Sequence, residues 1–426
     1  MIAWAECLYL GPLRKKWIGP GLDFLKMLPN NRKIQSGEEG SNGLDRSYGK
    51  SRYNSTEMSK RKKWIFIGAV LLVSLIGLLI YLSIPSVDEP EKNFDYLWTS
   101  FDRNYSNFEC KDIDWKTLYN RYRSVVTPET NNRELFKIMV DLLEHLDDKH
   151  VYIHKFNNVF FSGYDLPILG YSQVLKFDFR LPLNDFSLKL IEEKHIQGKF
   201  KKAFFVCQLN VPPFGLRHVF HYGWLDHDIA YIHISEMRKD KRKTEKAVNE
   251  ILKYFNNAKA YIIDIRDNIG GYAVPIKESL CRKFVDRERV WAISYKRSGP
   301  KHTDFSEPEH WSNKPDGRID LSQKPVVLLT NKNTQSAAEL FTLMMGVLPN
   351  VTVVGDKTMG IFSDTEVDKL PNGWEFRLSY RKTTNHEGIW LEGKGITPDV
   401  LVKNTEMDIK GGKDKVLEKA IELILH

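Results

Sequence analysis

The segment PVVLLTNKNTQSAAELF, Pro325 to Phe341, carries one serine, Ser336, where an apolar strand-like run gives way to an apolar helix-like run. A hydroxyl at such a turn stands at the edge of a sheet. The amides beside it lie at a helix N-terminus, where backbone N–H groups point outward and favour negative charge. That arrangement suits a nucleophile attacking a carbonyl, because the oxyanion that forms needs donors. The same spacing also reads as a helix N-cap, with Glu339 three residues on completing a capping box. On this segment alone both readings stand.

The elements around it must position that turn. Ala260 to Ile265 (AYIIDI) reads as a buried strand ending in the glycine turn RDNIGG and leading into a helix through Leu280. Pro325 to Thr330 reads as a second buried strand. Val351 to Val354 reads as a third, ending in GDKTMG. Strands alternating with helices predict an α/β sheet, and loops at the carboxyl ends of its strands build the site. Thr244 to Phe255 reads as an amphipathic helix. Residues 93–148 read as helical, with Phe94, Leu97, Trp98, Phe101 and Tyr105 on one face. Residues 151–235 read mostly as β, through KFDFRLPL, FSLKLIE, KKAFFVCQL and AYIHIS. No internal repeat is evident.

Composition narrows the function classes. Residues 1–63 hold 13 Lys/Arg against 6 Asp/Glu, which leaves 50 against 49 for the rest of the chain. The globular part is nearly neutral, so nothing points to a nucleic-acid partner. The four cysteines, Cys7, Cys110, Cys207 and Cys281, form no C-x-x-C pair, so neither a zinc nor a redox motif is implied. No cofactor is implied.

Trp64 to Ile84 is an uncharged run long enough to span a bilayer as a single transmembrane helix. Lys60, Arg61, Lys62 and Lys63 precede it; Asp88, Glu89 and Glu91 follow. The positive-inside rule then places the N-terminus in the cytoplasm and the remainder outside it, on a cell membrane. The rival reading is secretion after signal cleavage. An uncleaved anchor is expected instead, because the run is long for a signal peptide and no A-x-A-like site follows. Residues 1–63 read as a disordered cytoplasmic segment. Met58, opening MSKRKKW, reads as the true start. The expected domains are 1–63, the span 64–84, a helical domain 93–150 and an α/β domain 151–426.

Three segments together resemble one family. IDIRDNIGG is similar to the D-L-R-x-N-x-G-G motif of the tricorn-like and C-terminal-processing serine peptidases. LLTNKNTQSAAE resembles their nucleophile segment, and LEGKGITPDV their closing E-x-x-G-I-x-P-D motif. The helical stretch ending in LDDKH resembles the helical domain of the tricorn-like branch. The likeness spans roughly residues 93–402. It implies a crotonase-like β-β-α peptidase core with Ser336 as nucleophile. The C-terminal-processing branch takes its base from a lysine in a G-K step, which here reads Gly360-Ile361. The tricorn-like branch takes a histidine after the helical domain and a glutamate in the closing motif, which fall on His150 and Glu392. That branch has a small hydroxyl residue before the histidine, where this chain has Lys149. No PDZ-type insert is evident.

His150 is the expected base, because an imidazole gains and loses a proton near neutral pH. His145, His154, His218, His221, His227 and His386 are rivals, and Lys149 and Lys357 are alternatives that would have to be desolvated. Glu392 would orient His150. Gly270 and Gly271 would offer a backbone donor to the oxyanion, with the Ala337 amide as the second. Asp264, Arg266 and Asn268 would brace the loop. The expected function is a membrane-anchored serine peptidase, an endopeptidase or C-terminal processing enzyme, acting on a peptide or protein substrate. The alternative is an inactive relative that binds peptides or apolar ligands in the same cleft.

Overall fold

Runs that are apolar on both faces form central strands only where both faces of a sheet are covered. Ile229–Ile234, Ala260–Asp264 and Val326–Thr330 are buried at every position. The computed structural model describes residue 64 and residues 67–76, 89–155, 159–162, 185–208 and 215–426. These fall in two units, divided between Leu78 and Leu79.

In the first unit, residues 67–76 are helical and exposed. Among the described residues no helix is long and apolar enough to cross a membrane. The expected transmembrane helix over residues 64–84 is therefore not supported, and much of that run lies outside the described residues. Residues 1–63, including the Met58 start, and KFDFRLPL also lie outside them.

The second unit opens with helices α1 (Pro90–Asn104), α2 (Phe108–Lys111), α3 (Trp115–Arg123) and α4 (Asn132–Glu144). The start of α4 is fixed by Asn131, whose side chain accepts from the Glu134 amide while Glu134 reaches back to the Asn131 amide. These helices share a core with β1 (Tyr152–Lys155): Phe94, Leu97, Phe101, Leu135 and Met139 pack with Ile153. β1 pairs with β2 (Val159–Ser162). Next come α5 (Leu188–Lys194), β3 (Lys201–Gln208), β4 (Gly215–Leu225), β5 (Ile229–Ile234), α6 (Lys241–Tyr254), β6 (Ala260–Asp264), α7 (Ala273–Ser279), β7 (Arg289–Lys296) and β8 (Glu309–Asn313). The chain then runs through β9 (Val326–Thr330), α8 (Ala337–Gly346), β10 (Val351–Gly355), β11 (Thr365–Lys369), β12 (Glu375–Ser379), β13 (Arg381–Asn385), β14 (Val400–Leu401), α9 (Glu406–Lys410) and α10 (Lys415–Leu425).

The segment FSLKLIE is a correction. It forms α5 rather than a strand, because the Ser187 hydroxyl accepts from the Leu190 amide at 3.2 Å and starts a helix there.

The main sheet has the strand order β14-β10-β9-β6-β5-β4-β3. From β14 to β5 the pairings are parallel; β4 and β3 are antiparallel. One face packs on α6, α7 and α8 through Val248, Ile251, Ile276, Phe341 and Met345. The other packs on α5 and α10 through Ile191, Val416, Leu417 and Ala420. A smaller sheet runs β11-β12-β1-β2, and a third β13-β7-β8. Three neighbouring parallel strands, β6, β9 and β10, thus end in the loops RDNIGG, NKNTQS and GDKTMG at one edge.

The first of those loops is anchored from below. Arg266 is 1% exposed; it hydrogen-bonds both oxygens of Asp264, reaches Asp414 Oδ1 at 2.9 Å and lies over the Phe186 ring. Asp414 also caps α10 by accepting from the Leu417 amide. Asn268 braces the same loop separately, donating to the Ile234 carbonyl at 2.8 Å and accepting from the Gly270 amide at 2.9 Å.

Candidate active site

Ser336 joins β9 to α8 with φ 56° and ψ −125°. That region is open to glycine and costs other residues roughly 1–3 kcal/mol, a strain that persists only where the surroundings impose it. Here they do. The Ser336 amide donates to Glu339 Oε2 at 3.1 Å, and the Gln335 amide to the Asn268 carbonyl at 3.1 Å. The Glu339 amide in turn donates to the Ser336 backbone carbonyl at 2.8 Å. Glu339 does more than cap. It is fully buried and accepts from Thr358 Oγ1 at 2.6 Å, from the Gly360 amide at 2.7 Å and from the Ile361 amide at 2.7 Å. One carboxyl thereby ties GDKTMG to the serine turn. Burial pushes it up to about 7, with those hydrogen bonds opposing.

His150 lies between α4 and β1. The Asp148 carboxylate accepts its amide at 2.8 Å, and its own carbonyl accepts from Arg377 Nε. The imidazole Nε2 lies 3.2 Å from Ser336 Oγ. Burial pulls His150 down to about 4; the Asp148 charge opposes this and Arg377 adds to it. The ring is therefore neutral at pH 7. With its proton on Nδ1 it offers Nε2 as an acceptor to the hydroxyl. Nδ1 is buried with no hydrogen-bond partner.

The expected bond between Glu392 and His150 is not formed. Glu392 Oε2 accepts instead from the Phe362 amide at 2.9 Å and the Ser363 amide at 3.1 Å. Burial first, then the charge of Asp148, holds the Glu392 carboxyl well above the usual range. Asp148 is the nearby carboxylate that sequence reasoning passed over. It accepts from Tyr105 Oη at 2.9 Å and Asn107 Nδ2 at 3.2 Å as well as from His150. Its signal was the LDDKH spacing, but its partners Tyr105 and Asn107 come from the turn after α1.

The two glycines are fitted to different tasks. A side-chain carbon on Gly270 would stand 2.7 Å from Ser336 Cβ, and one on Gly271 would stand 2.0 Å from the Met237 carbonyl oxygen. Both have positive φ, 91° and 126°. The Gly270 amide already donates to Asn268 Oδ1 at 2.9 Å, so it is not a free donor. Among the described residues the amides of Gly271 and Ala337 have no acceptor. Beside them opens a cavity of about 700 Å³ lined by Ser336, Gly271 and Ala337 among others.

The rival bases are placed elsewhere. Lys149 Nζ donates to Met359 Sδ at 3.2 Å, and Lys357 is exposed. His145 is bonded to Tyr122, and His154 to Glu375. Among the described residues no group of three or more His, Cys, Asp or Glu is placed to hold a metal ion.

A hydroxyl on a strained strand-to-helix turn, bonded to a neutral imidazole and flanked by open amides, has the geometry of a serine hydrolase site on an α/β sheet. Comparison with known proteins narrows the class. Residues 228–402 match the model of Peptidase family S41, and residues 86–144 that of the Tricorn protease C1 domain. The chain is 26% identical over 181 residues to the carboxy-terminal processing protease CtpB of Bacillus subtilis, covering 42% of this chain and 35% of that protein. It is 25% identical over 207 residues to the tricorn protease of Thermoplasma acidophilum, covering 46% of this chain and 17% of the other. The matches thus span no more than about a third of these relatives' own length. A solved structure from Parabacteroides merdae, assigned as a peptidase, has a TM-score of 0.65 and 26% identity, covering 80% of this chain and 98% of that one. The chain thus resembles the tricorn-like and C-terminal-processing peptidases, and its α/β fold is similar to that of the Parabacteroides merdae structure.

Proposed function

We propose that this chain hydrolyses peptide bonds with Ser336 as nucleophile and His150 as base. The supporting observation is the 3.2 Å approach of His150 Nε2 to Ser336 Oγ between two independently braced loops. Ser336 Oγ attacks the peptide carbonyl while its proton passes to Nε2. The oxyanion is met by the amides of Gly271 and Ala337. Collapse of the tetrahedral species expels the amine, which takes that proton from His150. Water then repeats the sequence on the acyl-enzyme and frees Ser336. Asp148 supplies negative charge that favours the imidazolium. Catalytic hydrogen bonds tighten when substrate is bound; in this reading Glu392 turns its unbonded oxygen to Nδ1 and orients the ring. The reaction is an endopeptidase or C-terminal processing cleavage of a peptide or protein.

The test is hydrolysis of a mixed peptide library by the wild-type chain and by Ser336→Ala. The account expects cleavage in the first and none in the second, with thermal melts that coincide; equal cleavage by both contradicts it. A second reading, an inactive relative binding peptides or apolar ligands in the same cleft, draws on the unpartnered Nδ1 of His150. It requires folded wild-type protein that binds peptides and cleaves none.

From the uncharged run Trp64 to Ile84 and its basic flank we also infer a membrane anchor, with the peptidase outside the cytoplasm and the N-terminus within it. Release of the native protein by alkaline carbonate would contradict the anchor, and secretion after cleavage would be the replacement.

A further inference from the structure

Helix α6 carries charge that the chemistry at Ser336 does not use. Its inner side buries Thr244, Ala247, Val248, Ile251 and Leu252. Its outer side carries Arg242, Lys246, Asn249 and Lys253, all exposed. Their spacing of i, i+4, i+7 and i+11 puts them in one row, about 16 Å long. The row ends beside β3, the edge strand of the main sheet. A shallow hollow of about 540 Å³ opens there, lined by Lys253, Lys201, Lys202, Tyr222, Tyr254 and Glu250. Lys201 Nζ lies 4.3 Å from the centre of the Tyr254 ring.

Among the described residues, Arg242, Lys246, Lys253, Lys201 and Lys202 have no carboxylate within ion-pairing distance. The two carboxylates flanking the row are engaged. Glu250 accepts from Tyr222 Oη at 2.9 Å, and Glu245 lies 3.9 Å from Arg318. Unpaired cations thus gather on one face of a domain whose charges otherwise nearly balance. Like charges at i, i+4 weaken a helix, so Arg242 and Lys246 oppose α6 until an anionic partner meets them.

We propose that this face, from Arg242 along α6 to Lys201 and Lys202, docks on an anionic phospholipid bilayer. A row of cations and a shallow hollow match a broad, flat surface of negative charge. Headgroup phosphates meet the lysines of the hollow, and tyrosine rings with polar tips suit the water–lipid boundary. The choice of a bilayer over an acidic polypeptide or a nucleic acid rests on the anchor inferred above from Trp64 to Ile84. The charge surplus stands without it.

The test reconstitutes the full-length chain with vesicles of phosphatidylcholine, alone or mixed in equal parts with phosphatidylglycerol. Lysines are acylated with a succinimidyl ester and the rates read by peptide mass spectrometry. Lys246, Lys253, Lys201 and Lys202 should react about fivefold or more slowly in the mixed vesicles, the scale of one cation beside such a surface. The difference should fade in high salt. Lys415 on α10, which packs on the opposite face of the sheet, should react alike in both. The combined change Arg242→Gln, Lys246→Gln, Lys253→Gln should return Lys201 and Lys202 to their phosphatidylcholine rates with an unshifted thermal melt. Equal rates in the two vesicles for the wild type, or protection that survives the triple change, overturns the proposal. So does protection by soluble polyglutamate or a DNA duplex and not by the mixed vesicles, which gives the face to that partner. Release by alkaline carbonate with the vesicle difference intact removes the anchor and keeps this face as a peripheral docking surface.

Discussion

At the scale of single residues, the account rests on a neutral imidazole beside a strained serine. His150 is depressed to about 4, so it is ready as a base throughout the neutral range. The acid limb of kcat/KM should therefore fall near pH 4 to 5 and not near 6.5. The sign for stability follows from the same shift. Between about 4 and 6.5 the unfolded chain binds the proton more readily than the folded one. This contribution is complete above the unfolded value and is lost as pH falls towards the folded one, which a series of thermal melts across that window would register. Asp148→Asn removes the charge that favours the imidazolium and should lower kcat about tenfold or more, with little change in KM. Glu392→Gln keeps a carbonyl to accept from Phe362 and Ser363, so the melt should hold while kcat falls; an unchanged kcat would remove Glu392 from the mechanism. The strand-to-helix junction marked Ser336 as cap or nucleophile, and the likeness to the tricorn-like branch, with its histidine after the helical domain, pointed to His150. Asp148 was not, because its meaning depends on Tyr105, a partner 43 residues away that no local spacing reveals.

At the scale of elements, the site is a meeting of strand ends. Residues apolar on both faces announced β5, β6 and β9 directly, since continuous apolar runs belong to covered parallel strands. The FSLKLIE segment misled because its alternation of apolar and polar residues fits a strand, whereas the Ser187 hydroxyl decides for a helix. The glycine loop offers a contrast that tests its role. Gly271→Ala would thrust a carbon to within 2.0 Å of the Met237 carbonyl at φ 126°, so the loop must move. Beyond destabilisation of roughly 1–3 kcal/mol or more, the displaced amide should cost about 10²–10³ in kcat. Gly198→Ala also carries a positive φ but meets nothing within 4 Å, so it should lose stability alone and keep kcat. Equal kcat losses in the two variants would contradict the oxyanion assignment.

At the scale of the whole molecule, the turn between α4 and β1 carries His150 and the β9–α8 junction of the main sheet carries Ser336, so the pair exists only when both are folded together. Arg266 is the buried link from the glycine loop to α10. Arg266→Met would leave Asp264 and Asp414 buried without their counter-charge, a change worth about 3–5 kcal/mol. Chemical denaturation should show that loss, and activity should fall with the folded fraction. Long-range joins of this kind were invisible in the sequence, where Arg266 and Asp414 stand 148 residues apart. The central claim is that Ser336 is an activated nucleophile. It is tested most directly by treating the folded chain with a fluorophosphonate and mapping the adduct by peptide mass spectrometry. The account predicts one adduct, on the peptide containing Ser336, and its loss in His150→Ala. Folded protein that remains unlabelled, or labelling that persists unchanged in His150→Ala, would contradict it.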